Sequence, residues 1–570
     1  MPVPLLVVST ALFLSGAAGL VYQVVWLRML GLVFGHAVDA LTAVLVAFMS
    51  GLALGSALGG RLSSRARAPL AIYAWLEAGI AVYALCLPPG LPGLTRVSLT
   101  LRDALGLSYE GWSLVQVALA FLVLLPPTVL MGATLPLVSQ ALASGGEAPG
   151  RRVGALYAVN TWGAVTGTLA AGYFLLPPLG NRVTVWIAAG ANLTAAALAL
   201  TVARRGALAP PSVLSARGEE ASSRVAWLIP AAMAVSGAVA MVFEIAWTRA
   251  LSLLLGSSTY AFTAMLLAVL IGLAMGSAVY AWRWGTRPVG PATLGVIQGG
   301  VGLSAAVVLV SFDRLPDLIL AALRVSTVPS WVDLVEILVS VTALTMVTLW
   351  MGAAFPCAIA AWAPAGARVG RGVGRLYAAN TAGAIVGVLL GGLVLVPTWG
   401  IHGSLKMAVA ATLMLCGALL VAGPGSIMRR SLPAAAALAL ALFVTFLPDW
   451  DRRLMSSAPA VYAPSYLRAG AGRPLREIVR DQEILFYRDG RSGTVAVTRE
   501  RGQVFLRING KIDAGTVVDM PTQIMAAHLP LLAHPAPRSV FILGMGSGMT
   551  AGAAARIPSS AWMSSRSSRR

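Results

Sequence analysis

Charge is scarce in this sequence, and acid is scarcer than base. Only 11% of the 570 residues are charged, with 21 Asp and Glu against 41 Lys and Arg. So little polar surface excludes a soluble globular protein for most of the chain. The three cysteines, Cys86, Cys357 and Cys416, all lie in apolar runs and offer neither a disulfide framework nor metal-ligand spacing. The four histidines (His36, His402, His528 and His534) are scattered, so no metal site follows from them. A basic patch interleaved with aromatics is also missing, which argues against nucleic acid as a partner despite the net charge of +20.

What the chain has is hydrophobicity, at 58% of its residues. Apolar runs of about twenty residues, each long enough for a ~30 Å hydrocarbon layer, recur over the first 448 positions. The lipid bilayer is therefore the first partner, and an integral, multi-pass protein of a bacterial inner membrane is the expectation. The first run lacks a basic start and is too long for a signal peptide.

The runs are duplicated. SGAAGLVYQVVWLRMLGLVFG starts at Ser15 and SGAVAMVFEIAWTRALSLLLG at Ser236, 221 residues later. The same displacement pairs Gly51 with Gly272 and Gly55 with Gly276. MGATLP at Met131 and GALYAVNTWGAVTG at Gly154 match MGAAFP at Met351 and GRLYAANTAGAIVG at Gly374, now 220 residues apart. One register links two halves, residues 1–203 and 226–422, joined by a cytoplasmic linker at 204–225.

Each half reads as six spans, near 3–33, 37–60, 70–88, 112–142, 153–177 and 182–203, then 226–255, 259–282, 291–311, 331–362, 374–396 and 402–422. Arg61, Arg65 and Arg67, Arg151 and Arg152, Arg204, Arg205, Arg217 and Arg224, Arg283 and Arg287, Arg368, Arg371 and Arg375, and Arg429 and Arg430 then share one face. By the positive-inside rule that face is cytoplasmic, and an even span number makes the repeats parallel. A further apolar segment at 432–447 leaves two outcomes open. If it spans, the tail lies outside the cytoplasm; if it stays in the interface, the tail lies inside.

Register also pairs polar residues inside the membrane. Gln23 matches Glu244, Glu77 matches Gln298, and Gln116 matches Glu336, so one repeat carries the acid where the other carries its amide. Arg28 and Arg249, near the ends of the first helices, are their candidate partners. Two readings stand: a central cavity suited to a small cation, or interhelical hydrogen bonds that hold the bundle. The Tyr157-Ala-x-Asn160-Thr161 and Tyr377-Ala-x-Asn380-Thr381 blocks read as packing surfaces, as do the small-residue series at Gly51, Gly55 and Gly59.

From Glu483 the sequence turns soluble. EILFYRDGRSGTVAVTRERGQVFLRINGKIDAG carries hairpin patterning, and Ser539 to Leu543 reads as a buried strand followed by Gly544, Gly546 and Gly548. The fold class is thus an all-α polytopic bundle of two parallel six-helix repeats, with about 12–13 spans. An incomplete α/β domain over 470–570 follows it, a β-hairpin region plus the first strand-turn-helix of a Rossmann-like fold.

The duplicated (F/Y)(Q/E)xxWxR and LYAxNTxGA blocks, with LRINGKIDAG and TQIMAAHLPLLAHPAPRSVFILGMGSG behind them, resemble membrane-fused spermidine synthases. In that family a transporter-like (major-facilitator-like) bundle precedes a polyamine aminopropyltransferase domain. The resemblance implies aminopropyl transfer to a diamine such as putrescine, with decarboxylated S-adenosylmethionine as co-substrate and no tightly bound cofactor. It implies nucleoside-binding roles for Gly544, Gly546, Gly548 and Gln482. Gln523 stands where many members have a histidine near the polyamine, and Ser547 where they have an amine-holding aspartate. The ribose-binding acid and the Asp-rich catalytic segment have no counterpart, so no catalytic residue is assigned, and an inactive, truncated enzyme half is expected. IPSSAWMSSRSSRR after Arg556 shows neither strand pattern nor acids. A transporter-like module for a polyamine or other small cation, with a vestigial tail, is the alternative.

Overall fold

The computed structural model describes residues 3–34, 38–143, 148–206, 223–362, 369–423, 426–470, 472–557 and 561–565. Most of the linker at 204–225, together with His36 and Arg368, lies outside them. The chain divides into two compact units. The first holds 1–248, 259–312 and 336–448; the second holds 249–258, 313–335 and 449–570.

Both sequence repeats are helical. The first repeat comprises α1 (Val3–Phe34), α2 (Val38–Ser63), α3 (Pro69–Leu105), α4 (Tyr109–Ala141), α5 (Pro149–Leu169) and α6 (Leu176–Arg204). The second comprises α7 (Ser223–Leu255), α8 (Thr259–Arg283), α9 (Pro291–Ser311), then α10 (Leu315–Leu323), α11 (Pro329–Trp362), α12 (Val369–Leu389) and α13 (Val396–Ala422). Ten helical runs among the described residues are long and apolar enough to cross a bilayer. Two of them, Pro149–Arg204 and Val369–Ala422, run 56 and 54 residues, so each folds back through two spans and the total is twelve.

The fold-back is the same in both halves. A π-helical turn occupies Ala170–Leu175 in one and Leu390–Leu395 in the other. Gly180 (φ 69°, ψ −178°) and Gly400 (φ 72°, ψ 176°) then take a conformation that a side chain would forbid. Thr184 and Ser404 each donate to the carbonyl of that glycine, at 2.8 and 2.6 Å. The third span exceeds its expected end at residue 88. α3 runs on to Leu105 with Pro88, Pro89 and Pro92 inside it, since a proline in a long helix removes single hydrogen bonds without stopping the coil.

Glycines set the helix spacing. α2 packs on α4 with Gly55 against the Val129 carbonyl, and α8 packs on α11 with Gly276 against that of Leu349. The LYAxNTxGA helices cross between repeats. Ser56 of α2 donates to the Gly374 carbonyl of α12 at 3.3 Å, and Ser277 of α8 donates to the Gly154 carbonyl of α5 at 3.2 Å. These paired crossings bury one apolar core shared by both halves, around Tyr73, Leu156, Tyr280, Phe355 and Leu376.

α14 (Ile427–Thr445) packs along α13. Gly417 lies near Ala434 and Leu438, Arg430 donates to the Val421 carbonyl at 3.2 Å, and Lys406 donates to the Leu447 carbonyl. Rising numbers in one helix meet falling numbers in the other, so the two are antiparallel.

The second unit contains a four-stranded antiparallel meander, β1 (Glu483–Asp489), β2 (Thr494–Glu500), β3 (Gln503–Ile508) and β4 (Lys511–Gly515). Arg501-Gly502 and Asn509-Gly510 join its strands with both central residues at positive φ, the two-residue turn whose twist matches the sheet. The short helices α15 (Arg452–Met455), α16 (Ala463–Gly470) and α17 (Leu475–Ile478) precede the meander, and α18 (Met520–Ala533), β5 (Ser539–Leu543) and α19 (Met549–Ala554) follow it. The segment after Arg556 departs from its expected lack of strand. Ala561–Ser565 forms β6, parallel to β5 in register from Ser539/Ala561 to Leu543/Ser565. Backbone pairing needs only an extended partner, so a segment without apolar alternation supplies one.

Candidate functional site

Glu77 is a polar residue within a span that partners enclose. Its carboxylate is fully buried on α3. Ser15 of α1 donates to one oxygen at 2.6 Å and Asn192 of α6 donates to the other. Tyr73, one turn earlier on α3, is buried beside them. The second repeat copies the core of this arrangement in uncharged form, where Gln298 donates to Ser236 at 3.0 Å. Tyr22, Tyr73 and Asn192 give way there to Phe243, Leu294 and Thr412. Glu77 and Gln298 thus form interhelical ties, and only the first repeat has placed a titratable group in the tie.

The other matched pairs differ. Glu336 is buried on α11 and Gln116 is half-buried on α4. Gln23 on α1 and Glu244 on α7 are half-buried at equivalent positions. Among the described residues Glu244 has no hydrogen-bond or ion-pair partner within the protein. A partnerless carboxyl in a membrane span is costly unless a cavity, water or ligand meets it.

The arginines are not the partners that spacing suggested. Arg28 is exposed. Arg249 belongs to the second unit, where its Nη1 donates to the Gly490 carbonyl at 2.6 Å and that of Arg491 at 3.3 Å, in the turn between β1 and β2. Both lie within two turns of their helix ends, and long side chains there reach toward water or a soluble neighbour.

The backbones of Asn160 and Asn380 are packed, in keeping with a packing surface. A methyl group added at Gly16 would lie 2.0 Å from the Asn160 carbonyl oxygen, and one at Gly237 would lie 1.9 Å from that of Asn380. Tyr157 and Tyr377 flank Phe355, with ring centroids 5.4 and 5.8 Å from it. Sequence reading missed Ser15, Asn192 and Gln140. Gln140 is buried and accepts from the Gly370 amide at 2.9 Å, tying α4 to α12. Their one signal is a lone polar residue inside an apolar run.

In the second unit, Ser547 donates to Gln523 Oε1 at 2.5 Å, bringing those two positions together. Thr550 donates to the Gln523 carbonyl at 3.0 Å and fixes the start of α19. Gly544, Gly546 and Gly548 all have positive φ (90°, 51° and 79°), and added methyl groups there would meet nothing within 4 Å. Gln482 is buried, and among the described residues its amide nitrogen has no acceptor. A cleft of about 610 Å³ lies against α18, β5 and α19, lined by Ala527, Leu531, Val540, Ile542 and Thr550 among others. Gln482, Gln523, Ser547 and the three glycines are not among its lining residues, while Leu543 and Thr550, on either side of the glycine turn, are.

Glu77→Gln is expected to keep the folded state, since Gln298 already makes that bond. Asn192 can turn its free oxygen toward the new amide. Glu77→Leu strands the Ser15 and Asn192 donors and is expected to cost about 2–4 kcal/mol. Thermal unfolding of purified protein in detergent compares them. Equal losses for the two variants would mean that the tie depends on charge.

No protein-family model matches this chain, and no curated protein matches it. Similar solved structures include the major facilitator superfamily proton:xylose symporter XylE bound to 6-bromo-6-deoxy-D-glucose, at TM-score 0.43 and 15% identity over 78% of this chain and 95% of that one. The human organic anion transporter MFSD10 (TETRAN) has TM-score 0.43 and 13% identity over 74% of this chain and 100% of its own. The nucleoside transporter NupG has TM-score 0.39 and 13% identity over 79% and 100%. At these values the likeness decides neither substrate nor mechanism. The chain is a multi-pass membrane protein built from a duplicated helical bundle and a small β-containing unit.

Proposed function

We propose that this chain is a membrane transporter for a small organic cation of the diamine or polyamine class, in a bacterial cytoplasmic membrane. The observation that carries the reading is Glu244, a half-buried carboxyl within a membrane span that has no partner among the described residues. An ammonium group supplies the missing countercharge, and the matching position of the other repeat carries the neutral Gln23. The crossed repeats favour it, because two packed halves of equal architecture can rock about a site between them. Aminopropyl transfer is the competing reading. Its support is the resemblance of the glycine turn and the LRINGKIDAG segment, with no catalytic carboxylate assigned.

Uptake of labelled putrescine and spermidine into proteoliposomes tests the proposal. The unaltered protein should accumulate label, and Glu244→Gln should reduce uptake at least tenfold. Absence of uptake for both polyamines overturns the proposal. Spermidine formation by purified protein from putrescine and decarboxylated S-adenosylmethionine would favour the enzyme instead.

A further inference from the structure

We infer that the second unit is extracytoplasmic and that α14 is a thirteenth span delivering the tail to that side. Three observations meet here. The first is parity. With Arg61 to Arg67, Arg151 and Arg152, Arg283 and Arg287, and Arg371 and Arg375 on the cytoplasmic face, α7 and α9 run outward, and the chain after each emerges on the opposite face. Residues 249–258 and 313–335 are those emerging segments.

The second is α14 itself. Its apolar stretch, Arg430–Thr445, is 16 residues and about 24 Å long at 1.5 Å per residue, the short end of what crosses a bilayer, and Leu447 follows two residues on. The helix starts beside Val421, at the end of α13 that leads on to Arg429 and Arg430, and finishes beside Lys406, near the Gly400 turn at the other end. An interfacial helix would touch α13 at one end only.

The third is the company the tail keeps. The Ala460 amide donates to the Leu254 carbonyl at 3.1 Å, and Asn509 donates to Ser257 Oγ at 3.2 Å. Arg249 holds Gly490, and Arg324 donates to the Gly472 and Arg473 carbonyls at 2.8 and 2.9 Å. The Arg476 amide donates to Asp317 at 3.3 Å. The tail therefore bonds to both segments that follow outward-running helices. A tail emerging with Arg429 and Arg430 would be across the bilayer from every one of these partners.

Any small molecule bound by the β-containing unit then arrives from outside the cytoplasm. A cationic nucleoside sulfonium made in the cytosol would need a carrier to reach it, because a charge does not cross hydrocarbon unaided.

Single-cysteine labelling tests the placement. In full-length protein with Cys86, Cys357 and Cys416 changed to alanine, Ser492→Cys reports the β1–β2 turn and Ala68→Cys the α2–α3 loop; both positions are exposed. In right-side-out vesicles a membrane-impermeant maleimide should label the Ser492→Cys protein at least tenfold faster than the Ala68→Cys protein, and inside-out vesicles should reverse the order. Labelling of both from the same side overturns the inference. Should the cysteine-free chain misfold, C-terminal fusions to the unaltered chain give the same answer. Alkaline phosphatase activity is expected, and green fluorescence from a cytoplasmic-only reporter overturns it.

Discussion

Replacing Arg507 by leucine should loosen the four-stranded sheet by about 2–4 kcal/mol. Arg507 lies in β3 with its side chain only 3% exposed. Nη2 pairs with Glu500 Oε1 at 2.6 Å, Nε donates to Thr498 Oγ1 at 3.2 Å, and Nη1 donates to the Ser456 and Gly510 carbonyls at 3.3 Å. Glu500 is 38% exposed, so solvent screens the ion pair, and most of the loss comes from the other acceptors left without a donor. Leucine fills the volume and satisfies none of them. Lysine restores the charge without the fork, so Arg507→Lys should recover only part of the loss. Hydrogen exchange of the β2–β4 amides in the full-length protein reads the effect. A loss of this size speeds exchange roughly 30- to 700-fold, and unchanged rates would mean that the sheet does not depend on this residue.

Gly276→Ala should do comparable damage in the bundle with one methyl group. Its new carbon would lie 1.8 Å from the Leu349 carbonyl oxygen, so α8 and α11 must separate by more than an ångström. Overpacking of this kind costs about 3 kcal/mol or more, because backbone cannot rotate out of the way as a side chain can. Gly55→Ala meets the Val129 carbonyl oxygen at 2.0 Å and should behave alike, as the duplication requires. Gly190→Ala is the control. Nothing lies within 4 Å of a methyl group there, and alanine favours helix by about 1 kcal/mol. The melting temperature in detergent should fall for the first two variants and hold or rise for the third. A Gly276→Ala protein as stable as the Gly190→Ala protein would show that the helices can part without penalty.

The glycine series is legible in the sequence, because small residues four apart on an apolar helix have few other uses. The resemblance carried by LRINGKIDAG was legible too, but it led toward a ligand. In the structure, Arg507 of that motif anchors β3, and Asn509-Gly510 shapes a hairpin turn. Glu77 and Glu244 looked alike on the page, each an acid matched to an amide. Folding separated them: Ser15 and Asn192 enclose Glu77, whereas Glu244 has no partner among the described residues. Arg28 and Arg249 also looked alike, and one is exposed while the other grips a turn some 240 residues further along the chain.

By itself the sequence determined that this protein crosses a membrane, that its two halves are copies, and which loops concentrate the arginines. Those properties depend on local hydrophobic length and local charge, and the bilayer reads them one segment at a time. Only the tertiary structure decided which polar groups are paired, that α14 runs the depth of the bundle, and that residues 249–258 and 313–335 join the tail in one unit. Each of these rests on hydrogen bonds and close packing between residues far apart in the chain. No pattern along a single helix encodes such a partner, because the patterning of one helix is satisfied by any apolar neighbour.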